Sequence, residues 1–419
     1  MTCTQQPKES GEMDNIAKAY VQFMLEIGLY DNDFVDAYYG PESLRPDEAD
    51  KEAAIPFARF KNFADSLRNK LAAIDVSAMD ELWQMRKTYL DKQLLAASAR
   101  IDYLAGLKHP FDKESAAQYD AVSPTFPVKH FESLLVELNH KLPGMGSLTQ
   151  RLADFKADFI IPKEKLDAVF QAAITEARKR TNNYIKMPEK ENFHVEYVTD
   201  KPWSAYNWYK GKSYSLIQVN TDLPIYIDRA IDLACHEGYP GHHVYNVLLE
   251  KSMVDERGWL EFSVYPLFSP QSLIAEGSAN YGIEVAFPGE ERIVFEKEVL
   301  FPLAGLDPQS VEKYYEIAEL TQKLSYAGNE AARQFLDGHM SRQEAIDWLV
   351  KYALMAPDRA AQRLRFIEKY RSYVINYNWG LDLVRQWVKN QGGTADQPEK
   401  RWQIFEKLLS APYLASALK

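Results

Sequence analysis

Apolar residues recur at three- and four-residue intervals through most of this 419-residue chain, which is the spacing of one face of an α-helix. One such run covers residues 79–106, and another lies between residues 162 and 187. Alternation typical of a strand is confined to residues 193–198 and 213–219, with a loop expected over 203–211. We therefore expect a mainly α fold with a small antiparallel β-sheet near the middle of the chain.

Start signals mark the helices of the second half. Asp307-Pro308 predicts the start of a helix that continues to about residue 336. The segment Ser341-Arg-Gln-Glu344 has the pattern of a capping box, which predicts another helix start. Pro357 precedes a run that predicts one long helix to about residue 390.

Weak boundaries divide the chain into four parts. Residues 1–14 are polar, without an apolar helix face, and predict a flexible tail or tether. Residues 15–187 form an N-terminal helical region, and residues 188–289 form a central region with the sheet and a histidine cluster. Residues 290–419 form a C-terminal helical region, which we expect to pack back on the first.

Charge argues against nucleic acid as a partner, and hydropathy argues against a membrane-spanning segment. The chain has 49 Lys and Arg against 60 Asp and Glu, and its net charge of -11 disfavours binding to a nucleic-acid backbone. No stretch of about twenty uninterrupted apolar residues is present, so we expect no transmembrane helix.

The two cysteines are too few for a disulfide framework, and one of them, Cys3, precedes a polar stretch. That arrangement resembles the mature end of a bacterial lipoprotein, in which a lipidated cysteine leads into a flexible tether. We therefore predict a lipid anchor through Cys3 and a location in the bacterial cell envelope or periplasm. The alternative is a cytoplasmic protein whose tail carries a chance cysteine.

Three of the eight histidines fall within the segment His236-Glu-Gly-Tyr-Pro-Gly-His-His243. A zinc peptidase needs two neutral imidazoles that converge on one cation and a carboxylate that takes a proton from water. The usual H-E-x-x-H spacing places both histidines on one helix face, but here Pro240 stands four residues after His236. At about 100° per residue, neither His242 nor His243 can share a metal with His236 on a straight helix.

Pro240 and Gly241 offer a remedy, because proline removes an interior hydrogen bond of a helix and glycine permits unusual dihedral angles. We expect a kink at these two residues that brings a later histidine back towards His236. Helix geometry alone leaves both His242 and His243 open as the second ligand.

A further ligand is offered downstream, in the helical segment 275–284. Glu276 and Asn280 lie four residues apart and share a helix face. A carboxylate from a second helix, with a polar neighbour that orients a ligand histidine, suits a catalytic metal site with one open position. We expect Glu276 to bind the metal and Asn280 to support a ligand.

The histidine segment resembles the H-E-x-x-P-G-H signature of a bacterial family, domain of unknown function 885, whose members are similar to gluzincin metallopeptidases. Residues 276–284 resemble the family's E-G-W-A-L-Y-x-E segment, although Ser278 and Asn280 stand where the family has Trp and Leu. Residues 219–221 resemble its V-N-T strand end. The resemblance covers roughly residues 210–285 and implies a multi-helix metallopeptidase-like fold, with the small sheet beside the active-site helix.

The resemblance also implies roles for individual residues. It implies that His236, His242 and Glu276 hold one Zn²⁺ per chain and that Glu237 is the general base. It favours His242 over His243, which remains the alternative ligand or a residue that supports the ligands. Through the V-N-T match, Asn220 becomes a candidate for substrate binding.

Three further features are candidates for contact with substrate. Tyr373 and Tyr377 are candidate donors to the oxyanion that forms during hydrolysis, and Tyr373 is the first choice. Arg363, within the basic run 359–365, is a candidate to bind the terminal carboxylate of a substrate. The strand 213–219 is a candidate to pair with an extended peptide.

Together these residues predict a zinc-dependent peptidase that hydrolyses peptides with metal-activated water. A metal-dependent amidase that acts on a non-peptide amide is the alternative within enzymes, because the same site would serve both. A metal-binding lipoprotein without catalytic activity is the alternative outside enzymes.

Overall fold

A computed structural model describes residues 8–48, 51, 54–201 and 203–418, so the predicted anchor Cys3 lies outside the described residues. The expected mainly α fold with a small sheet is confirmed. Within the described ranges, every helix is too short or too polar to cross a bilayer.

The helices of the described part are α1 (Lys8–Gly28), α2 (Phe57–Ala72), α3 (Glu81–Leu104), α4 (Phe111–Tyr119), α5 (Val128–Lys141), α6 (Leu148–Ala157), α7 (Leu166–Asn182), α8 (Asp228–Leu233), α9 (His242–Leu249), α10 (Pro270–Ala286), α11 (Glu290–Phe295), α12 (Phe301–Ala304), α13 (Val311–Lys323), α14 (Tyr326–Leu336), α15 (Arg342–Tyr352), α16 (Pro357–Tyr370), α17 (Ile375–Asn390) and α18 (Pro398–Leu409). The strands are β1 (Val35–Tyr38), β2 (Asn192–Val198), β3 (Ala205–Tyr209), β4 (Tyr214–Asn220) and β5 (Val264–Pro266).

The central sheet has the strand order β2-β4-β3 and is mixed, so the expectation of an antiparallel sheet is wrong for one of its two pairs. β3 and β4 are antiparallel, whereas β2 and β4 run parallel. The segment expected to be a loop over 203–211 contains β3, because a tight turn with positive φ at Gly211 reverses the chain. Since both edges of β4 are paired, this strand cannot accept a substrate peptide, which corrects the expectation for 213–219.

A second sheet was not expected from the sequence. It consists of β1 and β5, which pair antiparallel with Ala37 opposite Tyr265. β1 lies within the N-terminal region that was expected to be helical, and its four residues are all half-buried, so no alternation marks it.

The expected flexible tail over residues 1–14 is also wrong in part, because α1 begins at Lys8. Met13 is fully buried beside Ala17 and Tyr20 of the same helix. Residues 8–12 carry no apolar side chain, so no apolar periodicity marks the start of this helix.

Two helices that were expected to be continuous are interrupted. The first breaks between α13 and α14, and the second breaks at Arg371, between α16 and α17. Arg371 has a φ of 53°, and its buried guanidinium donates to the carboxylate of Glu114 on α4, with 2.6 Å between Nε and Oε2. The Ser372 hydroxyl donates to the same carboxylate at 2.7 Å. Glu114 therefore fixes the short 3₁₀ turn that carries Tyr373.

Helices of the N-terminal and C-terminal regions pack together in shared apolar cores. Phe131 and Leu138 of α5 pack with Ile317 and Leu320 of α13 in one cluster. A larger core extends beneath the central region and includes residues of α7, α10, α17 and α18. The capping box expected at Ser341 and Glu344 is confirmed.

The crossing of α10 and α17 brings two backbones together at Gly277 and Gly380. A Cβ atom added to Gly277 would lie 2.5 Å from the carbonyl carbon of Gly380, which no packed structure tolerates. This close approach places α10, which carries Glu276, against the helix that carries Tyr377.

We predict that Gly277→Ala lowers the free energy of unfolding by about 1–3 kcal/mol, because the helices must separate to admit the methyl group. Gly328→Ala is the matched control, since Gly328 also lies in a helix and an added Cβ there meets nothing within 4 Å. Urea unfolding followed by tryptophan fluorescence measures both. A Gly277→Ala variant as stable as the control would contradict the close crossing.

Candidate metal centre

The segment after α8 bends back on itself and brings two histidines together. α8 continues into a wide π-helical turn over Ala234–Gly238, and α9 begins at His242. At the bend, a Cβ atom on Gly241 would lie 2.0 Å from the carbonyl oxygen of His236, so only glycine fits. The expected kink at Pro240 and Gly241 is therefore present, and it folds His242 over His236.

The structure brings together the ligand atoms of His236, His242 and Glu276. The Nε2 atoms of the two histidines are 3.1 Å apart. Oε2 of Glu276 lies 3.3 Å from Nε2 of His236 and 3.8 Å from Nε2 of His242. Within the described part of the chain, these three residues form the group able to hold a metal ion.

Asn280 fixes the direction of the lone pair on His236. Its Nδ2 atom donates to the carbonyl oxygen of Tyr377 at 2.9 Å, so its Oδ1 atom faces Nδ1 of His236 at 3.0 Å as an acceptor. His236 must then carry its hydrogen on Nδ1, which leaves a lone pair on Nε2. Asn280 thus occupies the supporting position that the sequence indicated for it.

The residues of this group fit a divalent cation. Oε2 of Glu276 is buried and has no hydrogen-bond donor among the described residues. Its neighbours are the Nε2 atoms of the two histidines, and the tautomer that Asn280 fixes leaves Nε2 of His236 with a lone pair for a metal. Such a set of two imidazoles and one carboxylate is typical of catalytic zinc sites.

The electrostatics of the group also favour a positive charge at the point of convergence. Burial lowers the pKa of His236, but the carboxylates of Glu276 and Glu237 outweigh burial and raise it above its usual value. Burial and the charge of His236 lower the pKa of His242 to about 4. Burial opposes ionisation of Glu276, yet the two histidines hold the pKa of its carboxyl below its usual value.

His243, the alternative ligand, is directed away from this group. It is fully buried, and its Nε2 atom donates to Oε2 of Glu191 at 2.9 Å while Nδ1 accepts from the Ser215 hydroxyl at 2.8 Å. Burial lowers the pKa of His243, which is consistent with this neutral, two-partner imidazole. The geometry therefore selects His242 from the two candidates and gives His243 a structural role.

Glu191 is the centre of the buried network that holds the bend. Besides His243, it accepts hydrogen bonds from the Tyr239 hydroxyl at 2.7 Å and from Arg178 at 2.6 Å. Burial opposes ionisation, but these donors dominate and lower the pKa of Glu191 to about 2. Sequence reasoning did not identify this residue, because it lies outside both motifs and just before β2.

We predict that Glu191→Gln lowers the free energy of unfolding at pH 7 by about 3 kcal/mol, the equivalent of the pKa displacement of this buried carboxyl. The folded-state pKa lies below the unfolded one. The stabilisation is therefore complete above about pH 4.5 and disappears as the pH falls towards 2. Urea unfolding at pH 7 and pH 3 should show the difference from the unaltered protein narrowing at the lower pH.

Glu284→Gln serves as the control for this measurement, because Glu284 forms an ion pair with Arg385 at the surface. We expect this variant to change the free energy of unfolding by less than about 1 kcal/mol. Equal stability of Glu191→Gln and the unaltered protein at pH 7 would contradict the role of the buried network.

Glu237 lies beside the three-residue group and is buried, with only 5% of its surface exposed. Its main-chain oxygen accepts a hydrogen bond from Nδ2 of Asn207 on β3 at 2.7 Å. Burial and the charge of Glu276 raise the pKa of its carboxyl to about 7, against the opposing charge of His236. A carboxyl with that pKa is suited to accept and release protons near neutral pH.

Tyr373 and Tyr377 both lie near the space around His236, His242 and Glu276, which we call the cleft, but they differ in their partners. The Tyr373 hydroxyl donates to Oε1 of Glu276 at 2.8 Å, so it orients a member of the group. The Tyr377 hydroxyl has no hydrogen-bond partner among the described residues. Tyr377 is half-buried, and its pKa is raised by burial and by the charges of Glu276 and Glu237.

The two substrate-binding candidates have different positions. Asn220 is committed to its own loop, where Nδ2 donates to the carbonyl oxygens of Lys201 and Trp203. Its amide is therefore not directed at substrate, which corrects that expectation. Arg363 is half-buried and stacks on Phe366, with 4.9 Å from its guanidinium carbon to the ring centre. Its Nε atom is buried without a hydrogen-bond partner, and burial lowers its pKa.

A carboxylate that sequence reasoning did not identify lies beside the same cleft. Asp36 of β1 is half-buried and accepts a hydrogen bond from the Tyr206 hydroxyl of β3. Burial and the charges of Glu276 and Glu237 raise the pKa of Asp36 to about 7. No motif marks Asp36, because only the pairing of β1 with β5 brings it to this place.

The chain matches no known family profile and no curated protein. One solved structure that is similar to it is a "putative lipoprotein" from Colwellia psychrerythraea, with a TM-score of 0.52 and 16% identity over 86% of this chain and 68% of that chain. Another comes from Shewanella oneidensis and is described as "a putative lipoprotein of unknown function", with a TM-score of 0.48 and 15% identity over 86% and 71% of the two chains. The first likeness shows that the overall fold is shared with a solved structure.

Proposed function

We propose that this protein is a zinc-dependent peptidase of the kind that the domain of unknown function 885 signature suggests. The observation that carries the proposal is the convergence of ligand atoms from His236, His242 and Glu276, beside the buried carboxyl of Glu237. A purely structural metal site would need no base next to its ligands, and Glu237 supplies one.

The chemistry follows from the residues around the group. When bound there, Zn²⁺ would polarise the scissile carbonyl and make a water molecule acidic. Glu237 takes a proton from the water molecule as the oxygen of that water bonds to the carbonyl carbon. It then delivers that proton to the amine nitrogen as the C–N bond breaks.

Tyr377 is the better donor for the oxyanion, which revises the first choice of Tyr373. The Tyr373 hydroxyl already donates to Glu276, whereas the Tyr377 hydroxyl is uncommitted and half-buried in the cleft. A preorganised donor of this kind stabilises the charge that develops on the carbonyl oxygen. Tyr373 instead holds Glu276 in position.

Substrate contacts are proposed on two sides of the group. β3 is an edge strand of the central sheet and adjoins the motif through Asn207, so its free edge can pair with an extended peptide. Arg363 is half-buried and has no carboxylate partner among the described residues, which suits it to bind a substrate carboxylate.

The test is cleavage of a synthetic peptide library by the zinc-loaded protein, read by mass spectrometry. We expect cleavage that a chelator abolishes and added Zn²⁺ restores. Zinc binding without cleavage would contradict the peptidase and favour a metal-binding protein without catalytic activity. Cleavage of non-peptide amides alone would favour an amidase.

We also propose an envelope location with a lipid on Cys3. The polar stretch after Cys3 and the description of the Colwellia psychrerythraea protein as a "putative lipoprotein" support it. Mass spectrometry of the native protein should find Cys3 acylated in a membrane fraction. An unmodified Cys3 in the cytosol would contradict the proposal.

A further inference from the structure

Contacts of two kinds join Asp36 to the elements around the metal centre. Its strand, β1, pairs with β5, and β5 is followed by α10, the helix that carries Glu276. Its carboxylate accepts from the Tyr206 hydroxyl of β3, and the next residue of that strand, Asn207, donates to the main-chain oxygen of Glu237. Among the described residues, Asp36 forms no ion pair with a lysine or arginine. Its carboxylate is therefore available to a cationic group of a ligand.

The position of Asp36 suits a ligand rather than the interior of the protein. Its carboxylate is half-buried, and the Tyr206 hydroxyl donates to Oδ1, so Oδ2 has no partner among the described residues. A buried charge without a partner would be costly, but one at the wall of a cleft can bind a charged ligand.

Tyr206, whose hydroxyl donates to this carboxylate, belongs to a cluster of aromatic rings. The ring of Tyr206 packs against Trp203 and Trp208, with centroid distances of 5.7 and 4.5 Å. All three side chains are half-buried along β3 and the residues before it. A carboxylate with aromatic faces beside it is an environment that binds an alkylammonium group.

We propose that Asp36 binds the free α-ammonium group of a short peptide substrate. This inference deepens the proposed peptidase function and rests on it. It identifies the substrate class as peptides with an unblocked amino end close to the scissile bond. Tyr206 is a positioning residue in this account, because its hydroxyl orients the carboxylate of Asp36.

The test measures binding rather than turnover. Zinc-loaded protein is titrated in a calorimeter with leucine hydroxamate and alanyl-leucine hydroxamate, each with a free amine and in N-acetylated form. We expect at least one free amine to bind about tenfold more tightly than its acetylated form, as a hydrogen bond to a charged group would give. Asp36→Asn should remove that difference by weakening only the free amine.

Two variants guard against an indirect effect. Asp36→Asn itself keeps an oxygen that accepts from Tyr206, so the link between β1 and β3 remains. The first additional variant, Tyr206→Phe, should reduce the preference for the free amine only in part. Asp33→Asn is the matched control, since Asp33 lies three residues away and pairs with Lys369 at the surface. It should leave the preference unchanged.

The outcomes separate this inference from the proposed function. Equal binding of free and acetylated forms to the unaltered protein, or a preference that survives Asp36→Asn, would overturn the role of Asp36 alone. Failure of acetohydroxamate, which has no amine, to bind the zinc-loaded protein would overturn the proposed function and the role of Asp36 with it.

Discussion

Replacement of Glu237 by glutamine is expected to lower kcat for peptide hydrolysis by about 10²–10⁴-fold, the usual contribution of a positioned proton acceptor. Glutamine preserves the shape of the buried side chain but cannot accept a proton. The affinity for zinc should change little, because Glu237 is not one of the three converging ligands. Steady-state kinetics on a peptide found by library cleavage, with zinc content measured on the same samples, tests both expectations.

Glu196→Gln is a suitable control for this experiment, since Glu196 lies on β2 and accepts a hydrogen bond from Gln218. It should retain full activity. Activity of Glu237→Gln equal to that of this control would remove Glu237 from the mechanism. Loss of zinc from Glu237→Gln would instead show that Glu237 belongs to the metal site.

Although His242 and His243 are adjacent, their replacement by alanine should affect different properties. His242→Ala should lower the affinity for zinc, and His243→Ala should lower the stability of the fold. His242→Ala removes one of three ligands, and we expect zinc affinity to fall by at least 100-fold with the fold retained, on the order of the loss seen for groups that only support ligands. His243→Ala removes one of the donors to Glu191, leaves the buried Ser215 hydroxyl without its acceptor and opens a cavity, so it should lower the free energy of unfolding by about 3 kcal/mol.

The pair is measured by zinc titration and by urea unfolding, at a temperature at which both variants are folded. His243→Ala should still bind zinc with nearly the affinity of the unaltered protein. Retention of zinc by His242→Ala together with its loss from His243→Ala would reverse the ligand assignment.

The sequence was most informative where short-range rules apply. Residue spacing showed that no straight helix could join His236 to a later histidine, and Pro240 with Gly241 indicated the bend that the structure contains. The choice between His242 and His243 was beyond those rules. It depends on Glu191 and Ser215, which bury His243 from other parts of the chain.

Long-range contacts account for the other differences between the sequence-based expectations and the structure. The break before α17 depends on Glu114, which is 257 residues from Arg371, and no local signal announces it. The direction of β2 relative to β4 is set by how the chain crosses the sheet, because hydrophobic alternation carries no information about direction. Asp36 reaches the cleft only through the pairing of two short strands.

The central claim is that His236, His242 and Glu276 hold one zinc ion. The direct measurement is the ratio of zinc to protein, determined by elemental mass spectrometry after metal-free protein has been equilibrated with Zn²⁺ and passed through a desalting column. The structure predicts about one zinc per chain, as for a three-ligand catalytic site. A chain that retains no zinc under these conditions would contradict the account.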